Sequence, residues 1–233
     1  MKNNLDSHSV QADILMVLLQ SPDARFSDLN KAEITSDHFN FHLKSLLDKK
    51  LIEKNLNGKY QLTTEGKEFA DRFDTDTSKY EKQAKIGVMV VGVRVNNGVK
   101  EILMQKRLKQ PYFGYLGFVT GKIKWGESVS NAGARELLEE ANVKAKLTLV
   151  GIEHKRDFSK DQNLLDDKYF YVFKAEEIEG ELLEKFKEGE NIWMTKDKLF
   201  EYDKVFHDVK DIINLVEEGQ FKFMEQEFVV EEF

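Results

Sequence analysis

Residues 121–143, GKIKWGESVSNAGARELLEEANV, constrain the fold more than any other part of this 233-residue chain. The part that follows Glu127 predicts a helix, because its apolar residues recur at the spacing of one helical stripe. That stripe consists of Ala134, Leu137, Leu138 and Ala141. Either Ser128 or Ser130 is expected to cap the start of the helix through its hydroxyl oxygen.

Three carboxylates fall on another face of the same helix. Glu136, Glu139 and Glu140 are spaced i, i+3 and i+4, so their side chains lie within reach of one another. Carboxylates this close repel unless a cation lies among them, and oxygen ligands are those that Mg²⁺ and Mn²⁺ prefer. The residues alone leave two interpretations open, a divalent metal site or a solvated acidic face.

The spacing of the whole stretch resembles the Nudix box, G-x5-E-x7-R-E-U-x-E-E-x-G-U, in which U is a bulky aliphatic residue. The matching residues are Gly121, Glu127, Arg135, Glu136, Leu137, Glu139, Glu140 and Val143. Only Asn142 departs, standing where the family has Gly. Asn is the residue that best replaces Gly in the left-handed conformation that ends a helix, so the departure is mild.

This resemblance implies a Nudix hydrolase, which cleaves the diphosphate of a nucleoside diphosphate linked to another group with the help of Mg²⁺ or Mn²⁺. It implies Glu139 and Glu140 as the main metal ligands. Glu136 corresponds to the remaining carboxylate, a ligand or a base, and the Gly121 carbonyl to a backbone ligand. The substrate is expected to be nucleotide-derived, such as ADP-ribose, a nucleotide sugar or a nucleoside triphosphate.

Other matched positions have supporting roles in the family. Glu127 and Arg135 are expected to pair and to hold the loop against the helix. Arg107 corresponds to a basic residue that faces the phosphates in many relatives, although a strand-end surface arginine is the alternative. Some relatives draw a general base from a loop before a late strand, where Glu188 and Glu190 lie here, and two solvated glutamates are the alternative.

The segment that precedes the box differs from the W-x-x-P-G-G of many relatives. Val119 and Thr120 replace residues that let the backbone approach the phosphates, so we expect an altered pocket that still functions. Aromatic residues around the box are candidates either for stacking a base or for the core. They are Tyr112, Phe113, Tyr115, Phe118 and Trp125.

Composition narrows the class of protein. The chain has no cysteine, which excludes disulfides and thiolate zinc sites and is compatible with a reducing compartment. Hydrophobic residues make up 41%, enough for a core. No signal core and no stretch of about 18 apolar residues is present, so we expect a cytoplasmic protein without a membrane partner. The net charge of -7 argues against a strongly basic nucleic-acid binder.

The first 75 residues predict three helices, a hairpin and a fourth helix. The helices are expected near 8–20, at 26–32, from a cap at Ser36, and from a cap at Thr64 through Phe73. Strands at 51–54 and 59–62 flank Asn57-Gly58, which favours a two-residue turn. This order resembles a winged helix-turn-helix, in which the third helix enters the major groove of DNA.

The winged-helix resemblance implies DNA contacts from exposed residues of the third helix and the hairpin. The candidates for base contacts are Ser36, His38, Asn40 and Lys44, and those for phosphates are Lys49, Lys50, Lys54 and Lys59. Residues 1–78 contain 10 Lys and Arg against 13 Asp and Glu, a balance of -3 that favours DNA less. Docking to protein is the alternative. His38 and His42, at i and i+4, are interpreted as surface or groove residues.

These patterns predict an α/β protein with a winged helix-turn-helix at 1–75, a linker at 76–84 and a Nudix α/β/α sandwich with a mixed sheet at 85–233. Strands are expected at 86–95, 101–107, 143–153, 167–175 and 191–195. Helices follow near 197–202 and 205–216. The tail FKFMEQEFVVEEF is either an added strand or an interface element, and we expect a homodimer.

Two functions remain open. The first is an active Mg²⁺-dependent Nudix hydrolase with an accessory winged helix. The second is a transcription regulator that uses a Nudix fold to sense a nucleotide metabolite. Regulators of that kind usually carry the winged helix after the Nudix part and often lose the metal carboxylates, whereas this chain has the reverse order and keeps all three.

Overall fold

A computed structural model of the chain describes residues 9–30, 34–72, 82–199 and 201–233. The chain folds into two compact units, Met1–Lys82 and Gln83–Phe233. Most of the expected linker, as well as Phe73, lies outside the described residues. No helix in the described ranges is both long and apolar enough to cross a membrane.

In its described residues, the smaller unit contains four helices and a two-stranded antiparallel hairpin. In chain order its elements are α1 (Ser9–Gln20), α2 (Phe26–Leu29), α3 (Ser36–Asp48), β1 (Ile52–Lys54), β2 (Tyr60–Leu62) and α4 (Thr64–Ala70). Its core is formed by the apolar faces of α1 and α3 together with the hairpin, through residues such as Ile14, Phe39 and Leu46. The order of elements is the one that the sequence predicts.

Three local predictions in this unit are wrong. The caps are Thr35 and Thr63, one residue before Ser36 and Thr64, and their hydroxyls accept from the backbone N–H of His38 and Gly66. His42 is buried and hydrogen-bonds both Gln11 and His38, so it is a core residue.

The hairpin turn is also longer than the predicted two residues. Asn55 N–H donates to the Lys59 carbonyl oxygen, and the Asn55 side chain accepts from the backbone of Asn57 and Lys59. Only Gly58 in this loop has a positive φ, of 73°. The side-chain oxygen of Asn55 therefore accepts the backbone N–H groups inside the turn, a role that a backbone carbonyl oxygen has in a tighter turn.

Over residues 83–199 and 201–233, the larger unit contains a mixed nine-stranded sheet and three helices. Its elements are β3 (Lys85–Asn96), β4 (Val99–Arg107), β5 (Leu116–Gly117), β6 (Val119–Lys122), α5 (Val129–Ala141), β7 (Lys144–Phe158), β8 (Leu164–Glu179), β9 (Lys185–Phe186), β10 (Gly189–Met194), α6 (Lys196–Leu199), α7 (Val209–Glu218) and β11 (Lys222–Val229). The strand order is β11-β7-β8-β3-β4-β10-β9, with β5 on β4 and β6 on β3. The β3–β8 and β11–β7 pairs are parallel, and the others are antiparallel.

Strand β3 separates two hydrophobic cores. Val88 and Val90 pack on the side of α5, whereas Met89 and Val91 pack on the side of α7. Successive side chains of a strand point to opposite faces, so one β-branched strand supplies both cores. The result is a sheet between α5 and α7, the α/β/α arrangement that the sequence predicts.

The tail is a strand and not a loose interface element. β11 extends the sheet in parallel with β7, with Lys222 opposite Gly151 and Val229 opposite Phe158. The predicted Asn-Gly turn geometry occurs at Asn97-Gly98, between β3 and β4, where both residues have positive φ.

Candidate active site

Arg135 connects the loop before α5 to the helix itself. Its Nε and Nη2 donate to the two carboxylate oxygens of Glu127 at 2.7 and 2.9 Å, and Nη2 also donates to the Lys122 carbonyl oxygen at 3.0 Å. Its Nη1 donates to Glu136 at 2.6 Å and to Glu139 at 3.1 Å. Bidentate arginine–carboxylate pairs fix geometry as well as charge, so the loop is held against the first two turns of α5.

The hydrogen bonds of Arg135 also shift the pKa values of Glu127 and of Arg135 itself. Hydrogen bonds from Arg135 and from the Lys124 backbone N–H lower the pKa of Glu127 to about 2. The same carboxylate, with Glu136 and Glu139, raises the pKa of Arg135. The expected Glu127–Arg135 pair is therefore present in the structure as a permanent ion pair near neutral pH.

The start and end of α5 follow the predicted chemistry. Ser128, and not Ser130, is the cap, because its hydroxyl accepts from the Asn131 backbone N–H at 3.3 Å. Asn142 adopts the left-handed conformation with φ 56°. Its side-chain amide also donates to the Glu181 carbonyl oxygen at 3.0 Å, a contact that Gly could not make.

The expected apolar stripe of α5 is partly wrong. Leu137 and Ala141 are buried, but Ala134 and Leu138 are exposed. The buried face instead includes Ala132, Gly133 and the carboxylate-bearing Glu136. Glu136 takes a place on this buried face because the helix turns it toward the sheet, whereas Glu139 stays exposed.

Glu136 lies directly against β6. The residue is 8% exposed, and a Cβ added to Gly121 would overlap its carboxyl group. The Gly121 carbonyl oxygen in turn packs against Gly87, where an added Cβ would crowd it. Gly121 thus allows the Glu136 carboxyl group to lie against the backbone of β6, and Gly87 allows the Gly121 carbonyl oxygen to lie close to β3.

Glu140 is held by polar residues from two strands. Gln105 of β4 donates to its carboxylate at 2.9 Å, and Asn191 of β10 donates to its backbone carbonyl oxygen at 2.7 Å. Burial raises the pKa of Glu140; the Gln105 hydrogen bond opposes this, and the negative charge of Glu136 adds to it. A cation beside the two carboxylates would relieve this repulsion, so the donors suit a hard divalent ion.

The three carboxylates do not converge in this arrangement. Glu139 is half-exposed and bonds Arg135, with the Lys124 ammonium 3.7 Å away. Within the described ranges, no three His, Asp or Glu side chains are placed to hold one ion. The oxygens of Glu136, Glu140 and Gly121 are chemically suited to a divalent metal, but Glu136 and Glu139 both bond Arg135 in this structure.

Positive charge lies next to the carboxylates. Arg107 donates to the Pro111 carbonyl oxygen at 2.5 Å, so it holds the following loop, while its charge acts on Glu140. Burial lowers the pKa of Arg107, and burial followed by repulsion from Arg107 lowers that of Lys109. Lys109 forms an ion pair with Glu188.

The two candidate bases have different surroundings. Glu188, through Lys109, is near the charged groups that border Glu140. Glu190 instead pairs with Lys185 at 2.9 Å, and the next residue of β10, Asn191, is the one that contacts Glu140. Since neighbouring residues of a strand point to opposite faces, Glu190 points away from the carboxylates of α5.

The aromatic candidates separate into core and surface residues. Tyr112 and Phe118 are buried, and the Tyr112 hydroxyl donates to Asp157 at 2.5 Å. Burial and this hydrogen bond raise the pKa of Tyr112. Trp125 is 87% exposed and Phe113 is 53% exposed, so neither is held in a core.

Sequence reasoning missed three residues around the carboxylates. Gln105, Lys109 and Asn191 lie outside the box, on or just after strands whose neighbours are unknown until the sheet is assembled. One signal was visible. Gln105 and Asn191 are polar residues in otherwise apolar strands, and such residues need a buried partner.

The comparison with family models identifies residues 85–216 as a NUDIX domain. This match spans more than half of the chain, and the chain therefore belongs to the Nudix family. Members of the family are typically pyrophosphohydrolases that use divalent metals and bind nucleotide-derived ligands.

Two solved structures share the fold of the larger unit. The mutator MutT protein from Bacillus halodurans is 22% identical, with a TM-score of 0.53, and the alignment covers 64% of this chain and 94% of that one. The NUDIX domain of Shewanella oneidensis NrtR, solved with ADP-ribose, is 18% identical, with a TM-score of 0.51. That alignment covers 67% of this chain and 98% of the NrtR domain. At these identities the similarity establishes the fold.

Proposed function

We propose that this protein is a divalent-metal-dependent Nudix hydrolase that cleaves the diphosphate of a nucleotide derivative. The observation that carries the proposal is the proximity of two carboxylates of α5, Glu136, which packs against Gly121, and Glu140, which bonds Gln105 and whose pKa is raised by the charge of Glu136. Arg135 already balances the charge of Glu136, but burial and the charge of Glu136 still raise the pKa of Glu140, so a further cation beside Glu140 would be favourable. An acidic surface helix would instead turn these residues to solvent.

Each residue has a distinct role in this proposal. Glu136, Glu139, Glu140 and the Gly121 carbonyl would hold Mg²⁺ or Mn²⁺, which when bound neutralises diphosphate oxygens and lowers the pKa of water. Glu127 and Arg135 keep the loop in place and do not react. Arg107 and Lys109, whose positive charges lie near Glu140, attract the phosphates of the substrate. Glu188 is the candidate general base, which can accept a proton once Lys109 leaves it to contact the substrate.

ADP-ribose is the first substrate to test, because the NrtR domain that shares the fold was solved with it. The panel also includes nucleotide sugars, dinucleotide cofactors and nucleoside triphosphates, each with Mg²⁺ and with chelator. We expect phosphate-containing products from at least one class of substrate. In Glu140→Gln the turnover rate should fall on the order of 100-fold or more. Equal turnover by Glu140→Gln would refute the assignment of Glu140.

A second candidate is a regulator that senses such a ligand, and the smaller unit favours it. Its three helices, hairpin and fourth helix are arranged in the order of a winged helix-turn-helix, and Ser36, His38, Asn40 and Lys44 are all exposed on α3. We propose α3 as the surface that contacts DNA, with protein docking as the alternative. Lys59 is a poor phosphate contact, since it is ion-paired with Asp23 at 2.8 Å.

A mobility-shift assay at low salt distinguishes DNA binding by α3 from docking to another protein. Binding to fragments from its own promoter region should be lost in Lys44→Glu and retained in Lys67→Glu, which makes the same charge change on α4. Loss in both variants would mean that only net charge matters. Absence of binding by the unaltered protein would favour docking to another protein.

A further inference from the structure

Asn191 of β10 lies directly opposite Gln105 of β4 in the antiparallel pair that these strands form. Opposed residues of paired strands project from the same face of the sheet, and here the two side-chain amides meet. Gln105 Nε2 donates to Asn191 Oδ1 at 3.3 Å, and Asn191 is 5% exposed. A buried amide needs partners for its oxygen and for both of its N–H groups, so the contacts of Asn191 show which groups it holds.

Both N–H groups of Asn191 bond backbone carbonyl oxygens. Nδ2 donates to the carbonyl oxygens of Glu140 and Leu183, each at 2.7 Å. The Leu183 backbone N–H in turn donates to the Ala141 carbonyl oxygen at 2.9 Å. The last four carbonyls of a helix have no partner within it, and these bonds satisfy two of them at the end of α5. Asn191 therefore ties the last turn of α5 to β10 and to the segment that follows β8.

The acceptors fix the orientation of both amides. A reversed Asn191 amide would turn its oxygen toward two carbonyl oxygens. A reversed Gln105 amide would turn its oxygen toward Asn191 Oδ1 and Glu140 Oε2. Oxygens of these groups cannot donate to one another, so each amide has one favourable orientation. Gln105 must consequently point an N–H group at Glu140, and it donates to Oε2 at 2.9 Å.

This contact fixes the carboxylate of Glu140 through one oxygen. The hydrogen bond from Gln105 engages Oε2, so a cation can bind the other oxygen without breaking it. A carboxylate that is already oriented loses less conformational freedom when it binds a cation than one that rotates freely. Hydrogen bonds of this kind behind a metal ligand orient it and raise its affinity for the ion.

We propose that Asn191 is a positioning residue for the metal ligand Glu140 and that it acts through Gln105. Asn191 holds the Gln105 amide, and Gln105 orients the Glu140 carboxylate before a divalent ion binds. The inference rests on the proposed function, because Glu140 is a metal ligand only in that proposal. Asn191 itself is not a ligand in this account, since its oxygen already accepts from Gln105.

Mn²⁺ binding to the full chain without substrate tests the proposal directly. The titration follows free Mn²⁺ by its electron paramagnetic resonance signal. Gln105→Met and Asn191→Leu keep the approximate size of each side chain and remove its amide. Each should weaken Mn²⁺ binding roughly 10- to 100-fold, the usual effect of losing a hydrogen bond behind a metal ligand. Unchanged affinity in either variant, once urea unfolding shows it to be folded, would overturn the proposal.

The double variant Gln105→Met/Asn191→Leu distinguishes action through Gln105 from a general loosening of α5. If Asn191 acts through Gln105, the double variant should bind Mn²⁺ within about 3-fold of Gln105→Met alone. Independent effects would multiply, so a larger further loss would show that Asn191 acts only on the end of the helix. That result would overturn the role of Gln105 as the intermediary.

The control is Asn131→Leu, which makes the same change at an exposed position of α5. Its Mn²⁺ affinity should stay within about 2-fold of the unaltered protein, as for most surface substitutions. A loss as large as that of Asn191→Leu would mean that any such change on or near α5 weakens binding, which contradicts the proposal.

Phosphate release measured in parallel separates this inference from the proposed function. Mn²⁺ binding that weakens in both single variants, without turnover of any substrate, would reject the hydrolase and support the positioning role. Turnover by a protein whose Mn²⁺ affinity is unchanged in both variants would support the hydrolase and reject the positioning role.

Discussion

Glu140 combines two properties that a substitution can separate. Its partly buried carboxylate is the proposed metal ligand, but its raised pKa makes the position unfavourable for the metal-free fold. An acid whose pKa is raised on folding destabilises the folded state at pH values above its unfolded pKa, and the effect grows until the folded pKa is passed. Activity and stability should therefore respond to its removal in opposite directions.

Glu140→Gln should raise the midpoint of thermal unfolding in chelator at pH 7–8, by about 1–3 °C. The amide keeps the shape and removes the repulsion from Glu136. The increase should disappear below about pH 4.5, where Glu140 is protonated in the unfolded chain as well. Tryptophan fluorescence suits the measurement, because Trp125 and Trp193 both lie in the larger unit. A lower midpoint would mean that the charge stabilises the fold, and Glu179→Gln, at an exposed position, is the control.

Asn142 gives a second prediction at the scale of one residue. Asn142→Gly loses the hydrogen bond to the Glu181 carbonyl, which costs about 1 kcal/mol of folding free energy. Glycine adopts a positive φ without strain, so the same substitution also relieves the backbone strain at this position. The two effects should nearly cancel. Asn142→Ala loses the bond and keeps the strain, so it should cost roughly 1–2 kcal/mol in urea unfolding. Equal stability of the Gly and Ala variants would contradict this account.

The segment from 122 to 136 behaves as one element because Arg135 ties the loop to α5. Glu127 has a pKa lowered to about 2, so its contribution to stability is fully present above its unfolded pKa near 4.5. The contribution is lost as the pH falls from 4.5 toward 2. Acid inactivation above pH 4.5 must therefore originate elsewhere in the protein.

Glu127→Gln should thus lower the unfolding midpoint by a constant amount between pH 7 and 5. The difference from the unaltered protein should shrink below pH 4.5 and vanish near pH 2, as measured by tryptophan fluorescence. The pair is partly exposed, so solvent screens it and the effect is expected to be small. A difference that grows on acidification would show that Glu127 is not the ionised partner.

The sequence predicted elements well where one local pattern sets them. The box spacing located α5, its left-handed end at Asn142 and the Glu127–Arg135 pair, because all of these form within about twenty consecutive residues. The buried face of α5 was predicted incorrectly, because apolar periodicity does not anticipate a carboxylate held against Gly121. Gln105 and Asn191 were missed because their contacts with Glu140 depend on strand pairing, which brings together residues far apart in the chain.

At the scale of the whole molecule, each unit has its own hydrophobic core. All the residues proposed for catalysis lie between Arg107 and Glu188, within the larger unit. Residues 83–233 expressed alone should therefore hydrolyse the preferred substrate with kcat/KM within about 3-fold of the full chain, a change below 1 kcal/mol in barrier height. A large loss would mean that the first 82 residues contribute to the site.

The expected homodimer remains a prediction, which light scattering can test.

The parallel pairing of β11 with β7 has a consequence for synthesis on the ribosome. About sixty residues separate the two strands, which at 5–20 residues per second is a delay on the order of several seconds. Throughout that delay the outer edge of β7 has no partner strand and could template aggregation. Lys144, Lys146 and Arg156 place positive charge along this strand, and their mutual repulsion would discourage two nascent chains from pairing there.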